Sequence, residues 1–521
     1  MPTPIMDAND AESQPLLGRN DHVNTPLTGH RYTEAEVDAP SPAPASPSDC
    51  DFDFDPLGDV DNPLEWPIAF KWGIVTLLAL MAFTVTLTCI AAIPLAPEIT
   101  ADLSPSGTPP SKSASILLVT IWELGEAAGP LLIAPLSEMF GRYPVLNAAN
   151  LLFIFATALA ATAQSLPVFV SARALTGLAV ATNVLNPAIV GDMFGPDERG
   201  AAVSLIFLAP LLGGAFGPAI ASAVAARWGW RSVVWASVGL ASGCGVLLCV
   251  LLRETYRVVI LRKRREGRRR SVLGAGDDGK GLQAVAVEVE KRGMKELRDA
   301  VLRPGIVLFG SGVLMAMSLF GSVVFTYFYV MNVTLPDILR EIYQLEPVAA
   351  GMCFISFSVG SVFSVFVCNR NLDKIYIRMR ESHKGVGQPE FRLPIAIVGA
   401  LTMPVATATY GWVAELALPL PFLLCSLAFL GCTLMLALIP LMAYVVDAFG
   451  MWSASAMTGV IVTRCLVSTF LPLATAPLVD NYGYGWAFTV FAVLCLVLAP
   501  IPILVMRYGP HWRQLSKYSR D

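Results

Sequence analysis

Residues Ala114 to Leu136 read ASILLVTIWELGEAAGPLLIAPL, and the next six, Ser137 to Arg142, read SEMFGR. The first stretch is 23 residues long, and Glu123 and Glu126 are its only charged side chains. At about 1.5 Å of rise per residue a helix of that length extends roughly 35 Å, enough to cross the ~30 Å hydrocarbon core of a bilayer. It closes on a polar turn with Gly141 and Arg142. Charge inside such a span is costly and usually functional, so this segment predicts a membrane helix whose two acids do chemistry.

The same pattern recurs on both sides. The chain has 521 residues, of which 55% are hydrophobic and 15% charged, against roughly 25% charged in a soluble globular protein. Twelve apolar segments are expected, at 72–94, 114–136, 144–163, 166–189, 201–225, 231–252, 305–332, 347–368, 393–412, 419–446, 453–478 and 485–507. Short loops join the first six and the last six, and a polar stretch from Arg253 to Arg303 lies between. That spacing predicts an all-α membrane protein of two six-helix bundles related by an axis along the membrane normal. The expected divisions are a tail at 1–70, a first bundle at 71–252, a central loop at 253–303, a second bundle at 304–507 and a second tail at 508–521.

Lys and Arg are segregated. Thirty of the 36 fall on the side of the termini, four on the other side, and Arg173 and Arg464 lie inside spans. The positive-inside rule then places both termini and the central loop in the cytoplasm. The first sixty residues are polar and rich in Pro, Ser and Asp, so the N-terminal tail is expected to be disordered and no cleavable signal is visible. Glu12-Ser-Gln-Pro-Leu16-Leu17 has the pattern of a sorting signal. The basic run Arg262 to Arg270 favours anionic lipid over nucleic acid. Nine of the ten cysteines lie in apolar runs without metal-ligand spacing and read as buried thiols, and no cofactor, metal or nucleotide-binding loop is expected.

Gly129-Pro-Leu-Leu-Ile-Ala-Pro-Leu-Ser-Glu138-Met-Phe-Gly141-Arg142 resembles the signature loop of the major facilitator superfamily, with Met139 where a second basic residue is usual. The resemblance implies a cytoplasmic latch of Glu138, Gly141 and Arg142, with Asp192 as partner of Arg142 and an echo at Asp373 after segment eight. Arg173-Ala-Leu-Thr-Gly177 is similar to the family's intramembrane arginine motif. Gly213, Gly214, Gly217 and Pro218 match its antiporter motif, which implies export. Trp228-Gly229-Trp230-Arg231, Arg253-Glu254-Thr255-Tyr256, Pro389-Glu390-Phe-Arg392 and Tyr508-Gly509 extend the likeness to the fungal twelve-span drug:proton antiporters.

Glu123 and Glu126, three residues apart, share one helix face near mid-span. Two close carboxylates resist joint ionisation in low dielectric, and Arg173 at comparable depth favours their charged forms. That contest makes the three residues the expected proton-coupling site, against a fixed salt bridge between Arg173 and one acid. The family places segments one, four, seven and ten around a central cavity. Its expected lining is Thr84, Thr88, Asn183, Tyr327, Asn332 and Tyr444, with Trp122 nearby and Arg464 mirrored in the second bundle.

The expected function is proton-coupled antiport of a small amphiphilic or basic organic compound by alternating access, without enzymatic chemistry. A proton-driven importer of a nutrient or polyamine and an organic-acid exporter are the alternatives. The expected partners are the small-molecule substrate, protons and membrane lipid, with no nucleic acid, and the protein is expected to be a monomer. The plasma membrane is the expected location, with a vacuolar or endosomal membrane as the alternative.

Overall fold

Backbone hydrogen bonds have no water to turn to inside a bilayer, so the spanning chain closes them within helices. In the computed structural model, which describes residues 59, 61–104, 112–195, 198–272 and 298–519, the described residues are helical with short connections and no strand. The helices of the first half are α1 (Ile68–Ala91), α2 (Ala96–Leu103), α3 (Lys112–Phe140), α4 (Arg142–Thr162), α5 (Leu166–Leu178), α6 (Thr182–Met193), α7 (Arg199–Trp228) and α8 (Trp230–Leu251). A polar helix α9 (Arg257–Val272) follows, and α10 covers 298–309. The second half holds α11 (Gly312–Asp337), α12 (Pro347–Ser382), α13 (Leu393–Glu415), α14 (Leu420–Phe449), α15 (Ser453–Phe470), α16 (Thr475–Leu498) and α17 (Pro500–Gln514).

Twelve crossings follow from these pieces. Among the described residues, nine single segments are long and apolar enough to cross a membrane, from Ile68–Ala91 to Leu420–Phe449. The tenth, Ser453–Gln514, has 62 residues, which as one helix would reach roughly 93 Å. It reverses at Gly483, whose φ of +76° is a left-handed conformation open to glycine, and so makes two crossings. The fourth crossing is α5 followed by α6, interrupted at 179–181 where α5 ends on Ala179. α1, α3, α5, α6, α7 and α8 pack among themselves and with α4, as do α11 to α16, and the halves meet where α7 packs on α12 and α3 on α15 and α11.

The structure departs from the sequence expectations at several ends. The expected first tail, 1–70, contains ordered chain: Asn62 caps a short 3-10 helix at Pro63–Glu65, and Lys71 Nζ donates to the Leu64 carbonyl at 2.7 Å. The second tail is anchored, because Arg513 is buried and its Nε donates to Glu390 Oε1 at 2.8 Å. α12 runs fourteen residues past the expected end at 368. The polar stretch after segment six contains α9, where Arg262 donates to the Met139 carbonyl and Arg264 pairs with Asp59 and Asp61. Leu16-Leu17 lies outside the described residues.

Candidate functional site

Close backbone packing sets the site. A Cβ on Gly125 of α3 would lie 2.0 Å from the Ala174 carbonyl oxygen of α5, and one on Gly177 of α5 would lie 2.1 Å from the Trp122 carbonyl oxygen. Glycine at both positions lets α3 and α5 touch backbone to backbone. This fixes the α3 turn that carries Trp122, Glu123 and Glu126 and turns its polar face to the seam with α15 and α11.

All three side chains are buried, Glu123 at 2% and Glu126 at 7% exposure. Tyr329 of α11 donates its hydroxyl to Glu123 Oε1 at 2.6 Å. Trp122 Nε1 donates to Glu126 Oε2 at 3.3 Å. Arg464 of α15 reaches across the seam, with Nη2 3.3 Å from Glu126 Oε1 and its guanidinium 4.2 Å over the Phe325 ring. Cys465 Sγ lies 3.7 Å from the same Nη2. Glu123 Oε2 and Arg464 Nε have no hydrogen-bond partner among the described residues.

The expected grouping of the two acids with Arg173 needs correcting. Arg173 Nη1 and Nη2 donate to the Thr88 and Cys89 carbonyls at 3.1 and 2.9 Å, and its guanidinium stacks 4.9 Å over Trp122. Those carbonyls belong to the last turn of α1, where helix geometry leaves them without partners and the helix dipole favours a cation. Arg173 therefore caps α1, and Arg464 is the arginine on the carboxylates. The fixed Arg173–Glu salt bridge is absent as well.

Ligating atoms of Glu123, Glu126 and Cys465 lie within 4.8 Å of one another. Three donors of this kind suit a divalent cation in number, but Arg464 already places a positive charge on Glu126. The arrangement sets one arginine against two carboxylates.

Of the expected cavity lining, Trp122 and Arg464 belong to this cluster. Thr88 and Arg173 line a cavity of about 20 Å³ inside the first half, together with Thr157 and Phe169. Thr84 and Thr88 hydroxyls are spent on the Leu80 and Thr84 carbonyls. Tyr327 is a correction: its hydroxyl bonds the Phe491 carbonyl, so it faces α16 inside the second half. Asn332 bonds the Phe328 carbonyl at 2.7 Å. Tyr444 is fully buried, with no partner for its hydroxyl. The Asn183 side chain lies outside what the structure describes. A larger cavity of about 210 Å³ lies between the halves near Lys112, Asp337 and Thr475.

At the opposite end of the helices, the expected Arg142–Asp192 pair is present at 3.4 Å. Gly141, with φ of +106°, breaks α3 from α4, and a Cβ there would lie 2.0 Å from a Glu254 carboxylate oxygen. Glu254 Oε1 accepts from the Arg142 backbone N at 2.8 Å, capping α4, a role the sequence reading missed. Glu138 is exposed on the last turn of α3. Asp373 pairs with Arg392 at 2.5 Å, and Arg392 pairs with Asp447 at 2.8 Å. Gly213, Gly214 and Gly217 lie against Phe83, Leu87 and Ile90 of α1, and the Pro218 carbonyl meets Gly351 of α12.

A family model described as Major Facilitator Superfamily matches residues 77–470. The chain is 30% identical over 466 residues to "MFS transporter cpaT" of Aspergillus oryzae, covering 88% of this chain and 91% of that protein. It is 26% identical to "Efflux pump radE" of Floropilus chiversii, covering 88% and 84%. Among solved structures, a D-xylose-proton symporter aligns with a TM-score of 0.61 at 18% identity over 84% of this chain and 97% of that one. The human organic anion transporter MFSD10 aligns with a TM-score of 0.56 at 19% identity, over 84% and 100%.

Proposed function

Because the chain belongs to the major facilitator superfamily, and is thus an integral membrane transporter of small molecules, we propose that it is a proton-coupled antiporter that exports small amphiphilic or basic organic compounds. The single observation that carries this reading is the buried Glu123–Glu126–Arg464 cluster at the seam between α3 and α15. One arginine opposite two acids balances charge when the cluster holds one proton, and buried charge is stable only when balanced. A proton on Glu126 removes its attraction for Arg464 across the seam and frees the halves to rock. Its loss restores the pair and closes them.

The two bundles, 71–252 and 304–507, move as the rocking bodies. Both termini and the Arg142 and Arg392 clusters face the cytoplasm, where most Lys and Arg lie. The α2 end faces outward. Export agrees with the relative named as an efflux pump and with the small-residue face of α7 against α1. A basic substrate agrees with the acids at the seam, while the two intramembrane arginines already have partners in Glu126 and the α1 carbonyls.

The test is flux in inside-out vesicles carrying the full chain, with lumen acidic relative to the bath. Uptake of a cationic fluorescent dye driven by that gradient is expected, with accompanying loss of the gradient. Glu126→Gln is expected to abolish the gradient-driven part. Dye movement that ignores the gradient, or a Glu126→Gln variant that still couples, overturns the reading.

A further inference from the structure

The cavity of about 210 Å³ near the α2 end sits between the halves, away from the Glu126 cluster. Its walls come from Ile93, α2 and α3 on one side and from α11, the π-helical turn Ile338–Ile342 and α16 on the other. Asp337 and Glu341 stand four residues apart on one face of that wall, and both line the cavity. Asp337 is half-buried and has no hydrogen bond or ion pair among the described residues. Lys112, at the rim, is neutralised by Asp480 at 2.7 Å, a pair that ties α3 of one half to α16 of the other. Arg340 is the one further cation in the wall.

A second observation points to a ligand. Thr475 lines the same cavity at 1% exposure, and its hydroxyl has no partner among the described residues. A buried hydroxyl left unpaired loses its bonds to water without compensation, roughly 1–3 kcal/mol. A guest with a donor would satisfy it. The volume is below the roughly 300–1,000 Å³ of pockets that take whole drug-sized molecules, so this space suits a head group.

We propose that this vestibule is a second binding site for the cationic head of a small organic ligand, held by Asp337 and Glu341 with Thr475 as an additional polar contact, beneath the Lys112–Asp480 strap. The site deepens the export reading and rests on it for orientation: it is the last station before release at the outer face. The acids of the vestibule outnumber its cations by one when Asp480 is counted with Lys112, which sets the preference for positive charge.

The test uses the full chain in intact cells with two membrane-impermeant thiol reagents, trimethylammonium-ethyl methanethiosulfonate and its anionic sulfonatoethyl analogue. The reporter is Thr475→Cys, with Ser115→Cys on the facing wall as a second reporter should the first fail to fold. Rates are taken above the parent chain, which has its own cysteines, and divided by each reagent's rate with mercaptoethanol. A carboxylate a few ångströms from the reacting sulfur at intermediate dielectric favours the cationic reagent by about tenfold. Adding Asp337→Asn or Glu341→Gln is expected to shrink that ratio toward one.

Equal normalised rates, a ratio untouched by both acid replacements, or no labelling of either reporter in intact cells or in inside-out vesicles overturns the site. The readout needs no transport, so its failure and the failure of proton-coupled export are separate results. The same labelling is repeated in inside-out vesicles, and full charge preference there with none in intact cells overturns the orientation on which the release role depends.

Discussion

Two helix pairs use the same packing device, and one of them carries charge. In the first half α3 meets α5 through Gly125 and Gly177, whose added Cβ atoms would fall 2.0 Å from the Ala174 oxygen and 2.1 Å from the Trp122 oxygen. In the second half α12 meets α14 through Gly360 and Gly431, at 1.8 Å from the Ala428 oxygen and 2.3 Å from the Phe357 oxygen. Gly125 precedes Glu138 by thirteen residues, and Gly360 precedes Asp373 by thirteen. In this register Trp122, Glu123, Glu126 and Arg173 correspond to Phe357, Ser358, Ser361 and Leu427. The backbone contact is thus a requirement of the fold in both halves, whereas ionisable chemistry was placed on one. The answering charge, Arg464, comes from the other half, so the seam itself is polarised.

The strongest way to break this comparison is Arg464→Gln. It leaves two buried carboxylates with no arginine, and removing one partner of a buried ion pair costs about 3–5 kcal/mol. Thermal unfolding in detergent at neutral pH is expected to show that loss together with abolished gradient-driven flux. Adding Glu126→Gln restores balance, so the double variant regains most of the stability and none of the coupling. If the single variant is as stable as the parent, the cluster is not held by charge. Ser361→Ala, at the corresponding place in the second half, loses a hydroxyl bond to the Phe357 carbonyl and is expected to cost about 1 kcal/mol with flux intact.

The glycines sharpen the comparison. Gly125→Ala and Gly360→Ala both push a methyl group onto a carbonyl oxygen, and overpacking of this kind costs roughly 1–3 kcal/mol. Equal losses in stability are expected. Only Gly125→Ala displaces the turn bearing Trp122 and Glu126, so only that variant is expected to lose most of its flux at matched expression. Equal flux defects in the two would mean that the α3–α5 contact serves packing alone.

Much of this was legible in the sequence. Apolar length alone located the crossings, because a bilayer permits little else, and the Gly141–Arg142 turn with Asp192 followed from its motif. The partner of the two acids was not legible. Arg173 and Arg464 are both lone arginines in apolar runs, and which one faces Glu126 depends on where α1 ends: Arg173 is drawn to the orphaned carbonyls of Thr88 and Cys89. Tyr329 was missed for a matter of phase. It stands two residues after Tyr327, roughly half a turn around α11, so one tyrosine faces the seam and the other faces α16. The capping role of Glu254 required two segments distant in sequence to be brought together.

That phase difference supplies a smaller effect. Tyr329→Phe removes a donor from a buried carboxylate, worth about 1.5–3 kcal/mol, and Tyr327→Phe removes a neutral bond to a carbonyl, worth about 1 kcal/mol. Both variants are expected to unfold at lower temperature. Gradient-driven flux is expected to fall severalfold for Tyr329→Phe and to hold for Tyr327→Phe. The reverse order would place the working face of α11 on the other side.

The smallest expected effect lies at the α2 end of the first half, where Asp102 accepts from Arg231 Nη1 at 2.5 Å and from Trp230 Nε1 at 3.1 Å. These two donors hold its carboxyl below the ordinary aspartate range. A carboxyl with a depressed folded-state value adds stability above its unfolded value, near pH 4, and loses that contribution as pH falls through the folded value. The pair is almost half exposed, so solvent screening limits it to about 0–1 kcal/mol. Asp102→Asn is therefore expected to lower the unfolding temperature slightly at pH 7, to match the parent once the pH is below the depressed folded-state value, and to leave coupling alone. A difference that persists unchanged into acid would show that shape rather than charge ties α2 to α8, and the separation of a charged seam from a merely anchored rim would weaken accordingly.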